Sequence, residues 1–269
     1  MNIFKALTVA GSDTSGGAGL QADLKTFQEF GVYGMTAVTV IVAQNPHNKW
    51  AHDVYPLPLA ALEAQLETVL AGIGTHALKT GMLASEEVIT LVAKKLDQYS
   101  VRNVVIDPVM ACKGAGEPLH PESAISIQKL LAPRATVITP NIFEATQLSG
   151  MSSIETVEDM KNAAQEIYKL GPQNVVIKGG SKIDTPEAVD VLYDGKDFTL
   201  LQSKKINTKY THGAGCTYAA AITAGLATGL PVREAVTQAK QFISAAITHS
   251  FPLNEYVGPT NHATHRLAK

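Results

Sequence analysis

The sequence has few cysteines and little net charge, and these shortages exclude several classes of protein. Its 269 residues contain two cysteines, Cys112 and Cys216, and no Cys-x-x-Cys motif, which excludes a disulfide framework and argues against a structural zinc site. The formal net charge is -2, with lysine and arginine spread thinly, which argues against nucleic-acid partners and a polybasic membrane surface. We therefore expect a protein of the reducing cytoplasm that binds a small molecule.

The chain also lacks a long uninterrupted apolar run. Residues Met1 to Lys5 form neither the basic nor the long apolar part of a signal peptide. Two longer stretches, 31–48 and 210–232, carry no Asp, Glu, Lys or Arg, but polar residues, glycines or prolines interrupt both of them. We interpret both stretches as buried elements rather than membrane spans.

Short β-rich segments alternate with amphipathic helical segments along the chain. Several strands are apolar on both faces, which is typical of a parallel sheet covered by helices on both sides. The predicted strands are 5–10, 36–43, 77–79, 103–107, 136–139 and 174–178, followed by a hairpin of 188–193 and 198–202. The predicted helices are 19–30, 57–72, 85–99, 122–131 and 157–170, with two more beginning at Gly215 and Val232. No linker or repeat divides the chain, so we expect residues 1–269 to form a single α/β domain with a central mainly parallel sheet.

The most informative stretch runs from Tyr210 to Tyr218, where a glycine-rich turn and a thiol stand at the start of an alanine-rich helix. The first N–H groups of a helix have no intrahelical partner, and the helix adds about half a positive charge at that end. The turn Gly213-Ala214-Gly215 is therefore predicted to hold an oxyanion or a transferring phosphoryl group. Cys216 shares this turn, where the thiolate is favoured, so it is a candidate proton acceptor near neutral pH.

Polar clusters follow the predicted strands at their carboxyl ends, where ligands bind in open α/β sheets. These clusters are Gly11-Ser12-Asp13, Gln44-Asn45, Thr80-Gly81-Met82, Asp107-Pro108, Pro140-Asn141 and Lys178-Gly179-Gly180. Phosphoryl transfer depends mostly on positioning and charge neutralisation. Carboxylates, amides and a lysine that converge on an anion-binding turn are the groups that this reaction needs.

A second glycine-rich segment points to a different function. Residues 17–22 match the dinucleotide fingerprint Gly-x-Gly-x-x-Ala after a strand. That fingerprint also needs an acidic residue about 20 positions further on to hold the ribose, and the second strand here ends in Gln44-Asn45. No Gly-x-x-x-x-Gly-Lys-Ser/Thr segment is present, so an ATP site in this chain is not a P-loop. A dehydrogenase remains an alternative on this motif alone.

Six motifs in order resemble the ribokinase-like superfamily, and within it the hydroxymethylpyrimidine kinase and pyridoxal kinase family. The motifs are residues 10–26, 79–83, 107–110, 139–145, 177–180 and 211–217. The resemblance covers essentially the whole chain and outweighs the dinucleotide fingerprint. It implies a three-layer α/β/α sandwich, usually a homodimer, that uses ATP and Mg²⁺ to phosphorylate a hydroxymethyl group on a pyridine or pyrimidine ring.

The resemblance also implies roles for individual residues. Gly213, Ala214 and Gly215 form the anion hole for the migrating phosphoryl group, and Cys216 occupies the position of the base. The implied ATP-binding residues are Asp107, Asn141, Glu144, Lys178, Gly180 and Gly213, with Asp107 and Glu144 near Mg²⁺. The implied ring-binding residues are Gly11, Asp23, Gln44, His52, Met82 and Cys112. Two structural alternatives stay open, since Glu144 fits a first-turn acid of a helix and Asp23 fits a helix-surface charge.

Two features bear on which ring is preferred. The segment 109–114 resembles the lid of the pyridoxal-kinase members, whose thiol, here Cys112, adds to the pyridoxal aldehyde as a hemithioacetal, and residues 50–53 resemble the same members. The pair Gln44-Asn45 is common in pyrimidine kinases, so we expect both vitamin B6 compounds and hydroxymethylpyrimidine as substrates. The alternatives are a thiamin-pathway kinase of hydroxymethylpyrimidine and its monophosphate, and a non-catalytic binder of vitamin B6 or nucleotide.

Overall fold

The computed structural model describes residues 3–110 and 121–267, and its strands confirm the predicted α/β class. In chain order the strands are β1 (Lys5–Asp13), β2 (Tyr33–Asn45), β3 (Ala51–Pro56), β4 (Ala77–Thr80), β5 (Val104–Ile106), β6 (Val137–Ile138), β7 (Val175–Lys178), β8 (Glu187–Tyr193) and β9 (Phe198–Lys204). They form one nine-stranded sheet in the order β3-β2-β1-β4-β5-β6-β7-β8-β9.

The helices that connect and cover these strands agree with most of the predicted helical segments. They are α1 (Gly19–Glu29), α2 (Leu59–Glu67), α3 (Glu86–Gln98), α4 (Pro121–Ser126), α5 (Ile142–Ser149), α6 (Val157–Tyr168), α7 (Ala214–Ala227), α8 (Val232–Thr248) and α9 (Thr264–Leu267). A π-helical segment continues α2, and π-helical and 3₁₀ turns continue α4. No helix in the described ranges has the length and hydropathy needed to cross a bilayer.

Two apolar cores lie on opposite faces of the sheet. In β5, Val104 and Ile106 enter the core that contains Leu62 and Met160, whereas Val105 enters the core that contains Phe242. The first core is covered by α2 to α6, and the second by α1, α7 and α8. Because successive side chains of a strand point to opposite faces, a strand buried on both sides is apolar throughout. The predicted three-layer α/β/α arrangement is therefore confirmed.

Six neighbouring strands, from β2 through β1, β4, β5 and β6 to β7, are parallel, so their carboxyl ends lie at one edge of the sheet. The chain passes from β1 to β2 on one side and returns to β4 on the other side of β1. This reversal of strand order creates a crevice beyond the ends of β1 and β4, which is where open α/β sheets bind ligands.

Strand β3 was not predicted from the sequence. It pairs antiparallel with β2 at the edge of the sheet, and its side chains are exposed or half-buried, so it lacks the apolar alternation that marks a covered strand. The pairing sets His52 directly opposite Gln44. It thereby brings two of the predicted ring-binding residues together.

The loop before α1 packs tightly against Gly213, the residue that precedes α7. Gly213 has φ of +75°, in the left-handed region that favours glycine, and a Cβ atom added there would lie 1.8 Å from the carbonyl oxygen of Gly17. The amino end of α7 is thus held beside the loop that follows β1.

We expect Gly213→Ala to destabilise the fold by more than about 2 kcal/mol, because the left-handed conformation alone costs about 1–2 kcal/mol and the clash with Gly17 adds to it. Gly229→Ala is the matched control, since Gly229 also has a positive φ, +91°, but an added Cβ there meets no atom within 4 Å. Urea unfolding measures both variants. Equal free energies of unfolding for the two would show that the packing against Gly17 contributes nothing.

Candidate active site

A cavity of about 810 Å³ opens at the carboxyl edge of the sheet. Its walls come from the ends of β1, β2, β4 and β7, from the residues that follow β5 and β6, and from the start of α7. Most of the predicted site residues line it: Gly11, Gln44, His52, Met82, Asp107, Asn141, Glu144, Lys178, Gly213, Ala214, Gly215 and Cys216. The fold therefore brings the predicted ring-binding, nucleotide-binding and anion-binding residues into one cavity.

Asp23 is the exception among the predicted ring-binding residues of the described part of the chain. It is fully buried in α1, where its Oδ2 atom lies 3.0 Å from Nζ of Lys79 and accepts a hydrogen bond of 2.6 Å from Thr8. The prediction of a direct ring contact is wrong, because Asp23 faces the sheet and does not line the cavity. The alternative of a helix-surface charge is wrong for the same reason.

Gly180, one of the predicted ATP-binding residues, does not line the cavity. It is exposed, has φ of +56°, and its N–H donates to Asp190 over 3.4 Å. Asp190 also accepts a hydrogen bond from the N–H of Gly179 and forms an ion pair with Lys240. These contacts anchor the loop of Gly179 and Gly180. Cys112 and the surrounding segment lie outside the described residues.

The end of the cavity beside the start of α7 contains a buried ion pair. Nζ of Lys178 lies 2.7 Å from Oδ1 of Asp107, which also accepts a hydrogen bond of 3.1 Å from Thr139. Burial by itself lowers the pKa of Lys178, but the carboxylates of Asp107 and Glu144 raise it, so the lysine is charged. A Cβ atom added at Gly215 would lie 3.4 Å from the same Nζ atom, which shows that the ammonium group stands against the anion-binding turn.

Asn141 and Glu144 begin helix α5 with a reciprocal capping box. Oδ1 of Asn141 accepts from the N–H of Glu144 over 3.0 Å, and Oε2 of Glu144 accepts from the N–H of Asn141 over 2.8 Å. Burial raises the pKa of Glu144 to about 7, and the positive charge of Lys178 opposes this shift. The capping alternative for Glu144 is confirmed, and both side chains also line the cavity.

Cys216 lies in the first turn of α7, as predicted, but its surroundings favour the protonated thiol. Burial raises its pKa to about 12; the charge of Lys79 lowers it, and Asp23 and Asp107 raise it. The prediction that the helix amino end favours the thiolate is therefore wrong. The free-energy cost of desolvating a buried thiolate exceeds the stabilisation that the helix dipole and one lysine provide.

At the end of the cavity beside β2 and β3, Gln44 and His52 stand side by side with Asp13, which also lines the cavity. Nε2 of Gln44 donates to Oδ1 of Asp13 over 2.6 Å, and Nε2 of His212 lies 2.8 Å from Oδ2 of the same residue. Burial lowers the pKa of His52, and the neighbouring His212, whose ring centre is 6.5 Å away, lowers it further. His52 is thus a neutral hydrogen-bonding side chain at neutral pH.

The sequence did not assign roles to four ionisable residues in the cavity wall, namely Asp13, Lys79, Lys182 and His212. Asp13 ends β1 and His212 directly precedes the Gly213 turn, and both belong to motifs of the family. Those positions were the signal from which a role in the cavity could have been predicted. Lys79 ends in a buried ion pair, and no pattern in the sequence distinguishes it from an ordinary strand lysine. Within residues 3–110 and 121–267, no group of three or more His, Cys, Asp or Glu side chains is arranged to hold a metal ion.

Similarity to known proteins extends over the whole fold. The chain is 59% identical to the pyridoxine kinase of Bacillus subtilis (strain 168) over 267 residues, which cover 99% of this chain and 98% of that protein. It is 44% identical to the hydroxymethylpyrimidine/phosphomethylpyrimidine kinase of the same strain over 262 residues, which cover 97% of this chain and 96% of the relative.

Solved structures agree with these sequence relationships. The crystal structure of an ADP complex of Bacillus subtilis pyridoxal kinase matches with a TM-score of 0.96 at 59% identity, over 99% of this chain and 100% of that one. The pyridoxal kinase of Staphylococcus aureus in complex with AMP-PCP and pyridoxal matches with a TM-score of 0.93 at 46% identity, over 98% and 95% of the two chains. The sequence profile of phosphomethylpyrimidine kinase matches residues 13–261. This chain belongs to the phosphomethylpyrimidine kinase family.

Proposed function

We propose that this chain is a pyridoxal kinase that transfers the γ-phosphoryl group of ATP to the hydroxymethyl group of pyridoxal, pyridoxine and pyridoxamine, and also of hydroxymethylpyrimidine. The observation that carries this proposal is the position of Lys178, whose ammonium group contacts Asp107 and stands against the turn of Gly213 to Cys216. Gln44 and His52 line the same cavity. A phosphate-binding end and a ring-binding end therefore share one cavity.

The nucleotide phosphates fit the end of the cavity that contains Lys178, Asn141 and the anion-binding turn. Lys178 supplies positive charge, and the first-turn N–H groups of α7 supply donors for phosphate oxygens. Lys182 also lines the cavity and adds a second cation on the same side. The relatives whose structures hold ADP or AMP-PCP support this assignment.

The carboxylates of Asp107 and Glu144 fit a magnesium ion that is held mainly by the nucleotide. Mg²⁺ in kinases takes one or two protein carboxylates, and phosphate oxygens and water complete its shell. Oδ1 of Asp107 is occupied by Lys178 and Thr139, which leaves Oδ2 for a cation or its water. When bound, Mg²⁺ neutralises charge on the transferring phosphate.

The reaction itself requires little covalent chemistry from the protein. The hydroxyl oxygen of the ring substrate bonds to the γ-phosphorus, the bond from that phosphorus to ADP breaks, and the hydroxyl proton leaves. Gly213, Ala214 and Gly215 stabilise the oxygens of the transferring group, and the Cys216 sulfur accepts the proton. Because burial raises the thiol pKa, the thiol must first release its own proton to water, and the resulting thiolate then takes the hydroxyl proton.

The ring end of the cavity combines an apolar face with hydrogen-bonding groups. Met82 and Val42 line it beside Gln44 and His52, and the thioether of Met82 suits the face of an aromatic ring. Cys112, outside the described residues, remains the proposed partner of the pyridoxal aldehyde. The second candidate function, a hydroxymethylpyrimidine and phosphomethylpyrimidine kinase, is favoured by Gln44 and by the relative of that name at 44% identity.

We also expect residues 1–269 to act as a single kinase domain that forms a homodimer in the cytoplasm. We expect no nucleic-acid or membrane partner. A non-catalytic binder is the alternative from another class. The presence of both Cys216 and Lys178 in one cavity argues against it, because a binder needs neither a proton acceptor nor a cation at the phosphoryl turn.

Steady-state kinetics with MgATP and, in turn, pyridoxal, pyridoxine and hydroxymethylpyrimidine test the proposed function. We expect ADP release with all three, and Cys112→Ala should lower kcat/KM for pyridoxal while the two alcohols, which have no aldehyde, are nearly unaffected. No ADP release with any ring substrate would refute the kinase proposal. Phosphorylation of hydroxymethylpyrimidine and its monophosphate alone would favour the second candidate.

Replacing Cys216 tests its role as proton acceptor. Cys216→Ala should lose on the order of 10²–10⁴ in kcat with little change in ring or nucleotide affinity. Since burial raises the thiol pKa to about 12, the thiolate fraction grows with pH through the neutral range, and log kcat of the native enzyme should rise with it. Cys216→Asp should keep partial activity with a flatter profile, because a carboxylate ionises near pH ~4 in water. A kcat for the alanine variant within about threefold of native would leave Cys216 only a packing role.

The protonation state of Cys216 can be measured directly by alkylation. In a Cys112→Ser background, the rate of iodoacetamide modification of the free enzyme should rise with pH without a plateau below about pH 10, because the thiolate is the reactive form. Mass spectrometry of the labelled peptide gives the rate. A plateau near neutral pH would instead restore the low thiol pKa that the helix position suggested.

Substitutions at Lys178 and Glu144 test the nucleotide end. Lys178→Ala should lower kcat by on the order of 10²–10³, since it removes a cation from the transferring phosphate and leaves Asp107 unpaired. Glu144→Gln should impair phosphoryl transfer more than pyridoxal binding, and Lys169→Ala, on an exposed ion pair with Glu166, is the matched control. Calorimetric titration with pyridoxal separates binding from turnover. Loss of ring binding with intact ATP affinity in Lys178→Ala would mean that the two ends of the cavity are assigned in reverse.

A further inference from the structure

Asp13 joins three separate segments of the cavity wall through its carboxylate. The residue is 5% exposed, and its two side-chain oxygens accept hydrogen bonds from the loop before α1, from β2 and from the segment before α7. The donors are the N–H and hydroxyl of Ser15, the N–H groups of Gly17 and Ala18, the Gln44 amide and the His212 ring. No other carboxylate in the described cavity wall accepts from so many donors.

The bond to Asp13 sets the orientation of the Gln44 side-chain amide. Nε2 of Gln44 donates to Oδ1 of Asp13 over 2.6 Å. An ionised carboxylate has only acceptors, so a half-turn of the amide would set the Gln44 oxygen against the Asp13 oxygen. Although burial raises the pKa of Asp13, the hydrogen bonds from His212, Gln44 and Ser15 lower it far below its usual range, which keeps the acid ionised. Oε1 of Gln44 is thereby left to accept from a ligand.

The same carboxylate is tied to the phosphoryl-binding turn. Nε2 of His212 lies 2.8 Å from Oδ2 of Asp13, and His212 directly precedes Gly213. The N–H groups of Gly17 and Ala18 donate to Oδ2 as well, over 3.2 and 2.8 Å, and Gly17 is the residue against which Gly213 packs. Ring-binding and phosphoryl-binding groups thus share one anchor.

We propose that Asp13 is a positioning residue for ring recognition, which fixes the Gln44 amide with its oxygen toward the ring and so selects rings that carry a hydrogen-bond donor. The inference rests on the proposed kinase function. Pyridoxal and pyridoxine carry a donor, which is the phenolic hydroxyl of the neutral tautomer or the ring N–H of the zwitterion, and hydroxymethylpyrimidine carries an exocyclic amino group. One fixed acceptor at Gln44 therefore accommodates both classes of substrate, whereas a freely turning amide would not distinguish donors from acceptors.

An asparagine at position 13 should reverse the polarity of Gln44. Two backbone N–H groups, those of Gly17 and Ala18, donate to Oδ2, whereas one, that of Ser15, donates to Oδ1. The Asn oxygen should therefore stay on the side of Gly17 and Ala18, with its NH₂ group facing Gln44 and the bond from the Ser15 N–H lost. Gln44 then satisfies that NH₂ only by turning its own oxygen toward it. The ring donor would meet an N–H group instead of an oxygen, so we expect Asp13→Asn to raise KM for pyridoxine and hydroxymethylpyrimidine roughly 10- to 100-fold, with KM for ATP nearly unchanged.

A second substitution should rescue the first. In Asp13→Asn/Gln44→Glu, the Asn NH₂ group donates to one oxygen of the carboxylate introduced at position 44, and the other oxygen again faces the ring as an acceptor. We expect the double variant to recover most of the lost ring affinity. Gln44→Glu alone places two carboxylates in contact and should bind the ring poorly. Asp159→Asn is the control for loss of a loop-anchoring carboxylate far from the cavity, since Asp159 accepts from Thr156 and Glu155 and should leave both KM values unchanged.

Steady-state kinetics and thermal melting of the native enzyme and these four variants decide the inference. Recovery of ring KM in the double variant beyond both single variants supports it. A double variant no better than Asp13→Asn overturns it, as does an equal rise of the ring and ATP KM values in Asp13→Asn. If Asp13→Asn alone does not fold, a folded double variant with ring affinity still supports the inference, and an unfolded one contradicts it. Failure of the native enzyme to phosphorylate any ring would be recognised first and would refute the proposed function instead.

Discussion

Parallel alignment of six strands is the constraint on which the rest of this structure depends. Parallel strands end at the same edge of a sheet, so residues that are far apart in the sequence, such as Gly11, Asp107 and Lys178, come together there without any local signal to join them. The reversal of strand order beside β1 opens the crevice between them. Helix α7 then supplies the anion-binding turn from one face of the sheet, because its amino end is held against the loop after β1.

Charge burial is the principal cost of building this site. The carboxylates of Asp23 and Asp107 are 0% and 2% exposed, and each is compensated by one lysine, Lys79 and Lys178 respectively. Removing one partner of such a pair leaves an uncompensated charge, which makes the pairs difficult to alter singly. The same desolvation raises the pKa of Cys216. Partly desolvated charges of this kind interact strongly with a phosphoryl group, and the same desolvation favours the protonated form of the Cys216 thiol.

Family membership is consistent with this distribution of charge and hydrogen bonding. Relatives named as pyridoxine kinases and as hydroxymethylpyrimidine/phosphomethylpyrimidine kinases match over nearly the whole chain, at 59% and 44% identity. In the function proposed above, the turn of Gly213 to Cys216 and the Lys178–Asp107 pair serve the phosphoryl group, which is common to both activities. Discrimination between rings is then assigned to the end of the cavity where Gln44 bonds to Asp13 beside His52.

The sequence by itself determined the layered fold and most of the cavity wall. Strands apolar on both faces required cover on both sides, and glycine-rich and polar clusters at their ends indicated the ligand site, as β5 and the Gly213 turn confirm. Tertiary structure decided what depends on burial and on partners distant in the chain. Strand β3 was missed because an exposed edge strand lacks a core pattern, and Asp23 was misplaced because only the position of Lys79 shows that it faces inward. The protonation state of the Cys216 thiol was also decided by tertiary structure, because desolvation depends on packing, which no local sequence pattern encodes.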